Sequence, residues 1–81
     1  MDIQVLRDAK KGYKKDDVML KLDKLNLLYA RAQEGKISKS DALERAQQIA
    51  DTPIKTAFFN GFNKEDTDNY ISEILDMFAA L

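Results

Sequence analysis

The spacing of apolar positions predicts a long amphipathic helix in the first half of the chain. Apolar residues recur there every three or four positions, the period of one face of an α-helix. The face consists of Val18, Leu22, Leu25, Tyr29 and Ala32, and it is widened by Met19, Leu20, Leu27 and Leu28. Asp16 or Asp17 is the predicted N-cap, the helix should run to about Gln33, and Gly35 should terminate it. Such a wide apolar surface needs neighbours on more than one side.

Two more helices are predicted from their start signals and apolar faces. Ser38 opens a linker helix over about 38–51, because Asp41 three residues later completes a variant of the capping box. The last helix has Asn63 as its predicted cap. Its predicted buried face is Tyr70, Ile71, Ile74, Leu75, Phe78 and Leu81.

Short helices are predicted to lead into the two longer ones. The first should run from Ile3 to about Lys10, and the second from the Thr52-Pro53 pair through Phe58 or Phe59. No segment has the sustained alternation typical of a strand. The predicted fold is therefore all-α, a small bundle of three to five helices.

An internal repeat organises this predicted bundle. With 12–30 aligned on 61–79, four of nineteen pairs are identical and six more keep their chemical character. The identical pairs are Gly12 with Gly61, Lys15 with Lys64, Asp17 with Asp66, and Ala30 with Ala79. We therefore predict a single domain over 1–81, with repeat-like halves at about 3–34 and 52–81 joined by the linker helix.

Composition narrows the classes of function. The 81 residues carry 13 basic and 14 acidic side chains, a net charge of -1, which gives no global field to gather nucleic acid. The absence of cysteine and histidine removes thiol chemistry and the commonest general base and metal ligand. We expect no cofactor, no metal and no enzymatic activity. No apolar run is long enough for a membrane span or a signal peptide, so we expect a cytoplasmic protein.

Two charged clusters have a structural and a functional interpretation. Glu65, Asp66 and Asp68 favour a capped helix start over a cation site, because negative charge is favourable in the first helical turn. Lysines flank Tyr13 on both sides, but Asp16 and Asp17 follow immediately and offset much of that charge, which favours a solvated turn. Contact with anionic lipid is the less favoured alternative, and contact with nucleic acid is less favoured still.

The residues of both turns fit one motif, in which a glycine-aromatic pair is followed by polar residues, a valine, an aspartate, an aromatic residue and an aliphatic one. The second copy places Gly61, Phe62, Asp68, Tyr70 and Ile71 at motif positions, with Thr67 in place of the valine. The first copy matches at Gly12, Tyr13, Val18 and Leu22, with Met19 and Lys21 where the aspartate and the aromatic residue are expected. This pattern resembles the motif of DivIVA-domain proteins of Gram-positive bacteria.

The resemblance implies a cytoplasmic scaffold of cell division or polar growth that self-associates and can contact membranes. Two hypotheses of different class remain open. The first is a self-associating scaffold or adaptor, indicated by the duplicated turn and the wide apolar surface of 18–32. The second is a monomeric regulatory domain that binds a partner helix in an apolar groove. The groove would be lined by Met19, Leu27, Leu28 and Met77, whose flexible or branched side chains suit such a surface. The predicted partner-binding residues overall are Tyr13, Met19, Leu27, Leu28, Phe59 and Phe62.

Overall fold

The computed structural model describes residues 6–81, which form three helices and a small sheet. The elements in chain order are β1 (Asp8–Ala9), α1 (Lys15–Gln33), α2 (Lys39–Asp51), β2 (Gly61–Phe62) and α3 (Lys64–Ala79). Helix α2 packs against both α1 and α3, while β1 and β2 pair antiparallel. The prediction of a small helical bundle is confirmed at this level, whereas the sheet was not predicted.

The core lies where the apolar faces of the three helices meet. The buried hydrophobic residues are Val18, Leu22, Leu25, Leu28, Ala42, Ala46, Ile71, Ile74 and Phe78. Helix α2 contributes only alanines to this buried set, and their small side chains let it approach its neighbours closely. Tyr29 meets Phe78 edge to face, with ring centroids 5.2 Å apart. On α3 the predicted face is buried at three positions, while Tyr70, Leu75 and Leu81 are half-buried.

Helix α1 ends as the sequence predicts. Its last residue is Gln33, and Gly35 follows with a left-handed φ of 76°. The N–H of Gly35 donates to the carbonyl of Ala32, and the N–H of Lys36 donates to the carbonyl of Arg31. These two bonds form a Schellman motif, which satisfies carbonyls that the helix end leaves free.

The predicted N-caps Ser38 and Asn63 are confirmed. The Ser38 hydroxyl accepts a hydrogen bond from the N–H of Asp41 at 3.2 Å, and the Asn63 side chain accepts one from the N–H of Asp66 at 3.0 Å. The prediction of Asp16 or Asp17 as a cap is wrong. Helix α1 begins at Lys15, so its cap is Lys14, two residues before Asp16. The Lys14 side chain makes no capping bond.

The predicted first short helix is wrong for the part of it that the structure describes. Asp8–Ala9 is a strand, with Asp8 opposite Phe62 and Ala9 opposite Gly61. A segment of about eight residues is too short to nucleate a stable helix alone, so long-range pairing decides its conformation. The predicted start at Ile3 lies outside the described residues.

The predicted short helix after α2 is also wrong. Thr52 is the C-cap of α2, and its hydroxyl donates to the carbonyl of Gln48. The chain then continues without helix to β2, and backbone groups of this segment form hydrogen bonds with the first turn. Lys14 donates its N–H to the carbonyl of Lys55, and Ala57 donates its N–H to the carbonyl of Gly12, both at 2.8 Å.

Candidate functional site

The two glycine-aromatic turns meet and pair with each other. The N–H of Tyr13 donates to the carbonyl of Phe62, and the N–H of Phe62 donates to the carbonyl of Tyr13, both at 2.8 Å. A Cβ on Gly12 would lie 2.1 Å from the carbonyl oxygen of Phe62, and one on Gly61 would lie 2.7 Å from the carbonyl carbon of Gly12. Only glycine leaves room for two backbones to approach so closely.

Each aromatic ring of the turns lies under a lysine from the other turn. The Lys15 ammonium is 5.2 Å from the centroid of Phe62, and the Lys64 ammonium is 5.4 Å from the centroid of Tyr13. These are cation–π distances, and each contact contributes about 0.5–1 kcal/mol at an exposed site. Lys15 and Lys64 are aligned in the repeat, as are the two rings, so the pairing is reciprocal.

Tyr13 and Phe62, both predicted to bind a partner, are half-buried in this arrangement. The Tyr13 hydroxyl donates to a carboxylate oxygen of Asp68 at 2.8 Å. Burial, and then this hydrogen bond, raise the pKa of the Tyr13 phenol above its ordinary value. Both rings therefore serve the fold, and only part of each faces solvent.

Two of the three acidic side chains at the start of α3 are bound within the chain, Asp68 by the Tyr13 hydroxyl and Asp66 by Arg7. Asp66 accepts three hydrogen bonds from Arg7, from the backbone N–H at 3.1 Å, Nε at 2.8 Å and Nη2 at 3.0 Å. The guanidinium beside it holds the pKa of the Asp66 carboxyl below its usual value. Within residues 6–81, no group of three or more acidic side chains is arranged to hold a metal ion.

The most exposed apolar residues form an aromatic bend at Phe58 and Phe59, just before the second turn. These side chains are 79% and 77% exposed. The N–H of Lys11 donates to the carbonyl of Phe58 at 3.4 Å, so the bend lies beside the lysine-rich first turn. Phe59 was predicted as a partner-binding residue. Phe58 was not among the predicted residues, although two adjacent phenylalanines before Asn60-Gly61 were an available signal.

The predicted groove residues do not line one groove. Leu28 is buried at 8% exposure, while Leu27 is 57% exposed. Met19 and Met77 are 40% and 38% exposed, and neither lines the depressions beside Leu27 and Leu28.

A groove does run along the contact between α1 and α2, and we refer to it as the α1–α2 groove. It consists of three depressions of about 200, 240 and 480 Å³ that share lining residues. Its apolar lining is Leu20, Leu27, Leu28, Ile37, Ile49, Pro53 and Ile54. The sequence signal for its α1 side was the spacing of Leu20, Lys24, Leu27 and Arg31, but its α2 side is assembled only by tertiary packing.

Basic side chains lie along this groove. Lys24, Arg31 and Arg45 line it, and all three are exposed. Among the residues that the structure describes, none of the three takes part in an ion pair. With Lys21 and Lys36 the lining has five basic residues against two acidic ones, Asp17 and Asp41, a net charge of +3 in a protein whose overall net charge is -1.

Lys21 also borders the groove but has a structural role. Its side chain is buried, and Nζ donates to the carbonyls of Ala50 and Thr52 at the end of α2. Burial lowers the pKa of Lys21 below its ordinary value. An ammonium at a helix C-terminus satisfies free carbonyls and complements the negative end of the helix dipole.

Comparisons with protein-family models, curated proteins and solved structures give no match to this chain. In the part of the chain that the structure describes, no helix is long and apolar enough to cross a membrane.

Proposed function

We propose that this protein is a non-enzymatic interaction module that associates with copies of itself and acts as a scaffold. The observation that carries this proposal is the amount of apolar side-chain surface left exposed. Among residues 6–81, six large hydrophobic side chains are at least 38% exposed, against nine buried hydrophobic residues in the core. Grouped exposed apolar surface marks interaction sites in soluble proteins, and small domains gain stability by associating.

The resemblance to DivIVA-domain proteins supports a cytoplasmic scaffold connected with cell division or polar growth. The partners we expect are proteins, first of all a second copy of the chain. Nucleic acid is not an expected partner because the net charge is slightly negative. Contact with membrane is a less favoured alternative, and the aromatic bend beside the first turn is where it would occur.

Sedimentation equilibrium over a range from low to high micromolar protein tests the proposal. We expect the weight-average mass to rise with concentration above the 9.2 kDa of one chain. A mass that stays at one chain up to high micromolar concentration would refute self-association. A Phe58→Ser, Phe59→Ser variant reports how much of the association involves the aromatic bend, since both rings are exposed and their loss leaves the core intact.

A second candidate is a monomeric regulatory domain that binds a helix of another protein. The α1–α2 groove favours it, because amphipathic helices bind other proteins by laying an apolar face into such grooves. If the chain is monomeric, a partner purified from native cells should bind the wild type and the Phe58→Ser, Phe59→Ser variant equally. The same partner should not bind a Leu20→Ser, Leu27→Ser double variant. Equal binding of the partner to the wild type and to both variants would refute this candidate.

A further inference from the structure

We propose that the α1–α2 groove binds helix α3 of a second copy, so that copies join head to tail. This inference rests on the proposed self-association and names the surfaces that carry it. The groove provides exposed leucines and three basic side chains without ion-pair partners among residues 6–81. A matching occupant must therefore be a helix with apolar side chains and acidic residues on the same edge.

Helix α3 has this chemistry. It contains five acidic residues and one lysine, which gives a net charge of -4 over Lys64–Ala79, whereas α1 and α2 carry +1 and -1. Asp66 and Asp68 are already bound by Arg7 and by the Tyr13 hydroxyl. Glu65, Glu73 and Asp76 are exposed, and none of the three is in an ion pair within the described chain.

The order of side chains on the two helices is complementary when they run antiparallel. On α1, Leu20, Lys24 and Leu27 are separated by four and then three residues. On α3, read backwards, Met77, Glu73 and Tyr70 have the same separations. Residues three and four apart lie on the same side of a helix. Antiparallel docking would therefore set Met77 against Leu20, Glu73 against Lys24, and Tyr70 against Leu27.

The side chains on this edge are accessible in a single copy. Met77 is 38% exposed, Glu73 is exposed, and Tyr70 is half-buried. Arg31 lies four residues beyond Leu27 with Arg45 beside it in the groove lining, and in this register Arg31 faces the start of α3, where Glu65 is exposed. The groove and the α3 edge are different surfaces of one molecule, so the contact is heterologous and leads to open chains or rings of copies.

A charge exchange tests this interface. One variant carries Lys24→Glu and Arg31→Glu in the groove, and the other carries Glu65→Lys and Glu73→Lys on α3. All four side chains are exposed, so both variants should fold. Reversing two charges replaces attraction with repulsion, and we expect each variant alone to associate at least about tenfold more weakly than wild type.

An equimolar mixture of the two variants should recover association. In the mixture, the acidic groove of one variant meets the basic α3 of the other, and the two unmodified surfaces also match. A Lys39→Glu, Lys55→Glu variant is the control for the groove variant, because it makes the same change in charge at exposed positions that do not line the groove. It should associate like wild type.

Raising salt from about 0.1 M to about 1 M should weaken the wild-type contact, because screening shortens the Debye length from about 10 Å to about 3 Å.

The outcomes separate this inference from the proposed function. A wild type that is monomeric at all concentrations refutes the self-association on which the inference rests. A wild type that associates, together with charge variants that associate equally well or a mixture that does not recover, refutes the groove contact and leaves self-association through another surface.

Cross-linking gives a second measurement that does not depend on the charge variants. The chain contains no cysteine, so single substitutions introduce unique thiols. A mixture of Leu20→Cys and Met77→Cys should form a disulfide-linked heterodimer under mild oxidation. A mixture of Leu20→Cys with Lys55→Cys should form far less. Equal yields from the two mixtures would overturn the proposed docking.

Discussion

Substituting Gly12 with alanine should destabilise the protein far more than the same change at Gly35. A Cβ at position 12 would lie 2.1 Å from the carbonyl oxygen and 2.7 Å from the carbonyl carbon of Phe62. Both are backbone atoms, so no side-chain rotation relieves the overlap. Ordinary contact begins at 3.4 Å, so the turns would have to separate by about 1.3 Å. This separation breaks the two Tyr13–Phe62 hydrogen bonds and strains the bond from Ala57 to Gly12.

The expected loss in the free energy of unfolding follows from the hydrogen bonds that this separation breaks or strains. Each contributes about 0.5–1.5 kcal/mol net, so the loss is about 2–4 kcal/mol. A domain of this length has a free energy of unfolding of about 4–12 kcal/mol, and each kcal/mol corresponds to about 4–8 °C in Tm. Gly12→Ala should therefore lower Tm by about 8–32 °C.

Gly35→Ala is the matched control for this prediction. No atom lies within 4 Å of a Cβ at position 35, and the only penalty is the left-handed φ of 76°. That penalty is about 1 kcal/mol, or about 4–8 °C. Thermal and urea unfolding followed by circular dichroism measure both variants. A Gly12→Ala stability within about 0.5 kcal/mol of Gly35→Ala would refute the close-approach argument.

Three further predictions concern single side chains. Lys21→Met should lower the free energy of unfolding in urea by about 1–3 kcal/mol, because it leaves two carbonyls at the end of α2 unsatisfied. Lys24→Met, on the exposed side of α1, should change it by less than about 0.5 kcal/mol. Asn63→Ala should cost about 1 kcal/mol through the lost cap of α3, whereas Lys14→Ala, at a cap position without a side-chain bond, should cost much less; equal costs would contradict this. The Tyr13 phenol should ionise above its ordinary pKa of 10.0 in an absorbance titration, with Tyr13→Phe as the comparison that lacks this phenol. Its contribution to the free energy of unfolding should be complete below pH 10.0 and lost as pH rises through the folded pKa.

The sequence predicts the parts of this fold that depend on local chemistry. Ser38 and Asn63 cap their helices, and Gly35 terminates α1, because each signal acts within four residues of its own position. The helical faces are predicted for the same reason, since their period is a property of one segment. The positions of most core residues follow from this period.

The lead-in segments and the groove could not be predicted in this way. Asp8–Ala9 becomes a strand because it pairs with a segment more than 50 residues away, which no local pattern reveals. The left-handed conformations belong to Lys11 and Asn60, with φ of 57° and 53°, so Gly12 and Gly61 are required for space. The groove depends on where α2 packs, and that is decided by the whole core.

The pairing of the two turns limits how copies of this protein can associate. Tyr13 pairs with Phe62 on one side and with Thr56 on the other, so both backbone edges of the first turn are occupied within one chain. A second copy can use these edges only by exchanging its own second turn in a domain swap, which keeps the same close contact at Gly12. Contact through the α1–α2 groove uses side chains and does not involve this site. A Gly12→Ala variant kept folded at low temperature should therefore associate like wild type if the groove carries the contact, and lose association together with stability if copies swap turns.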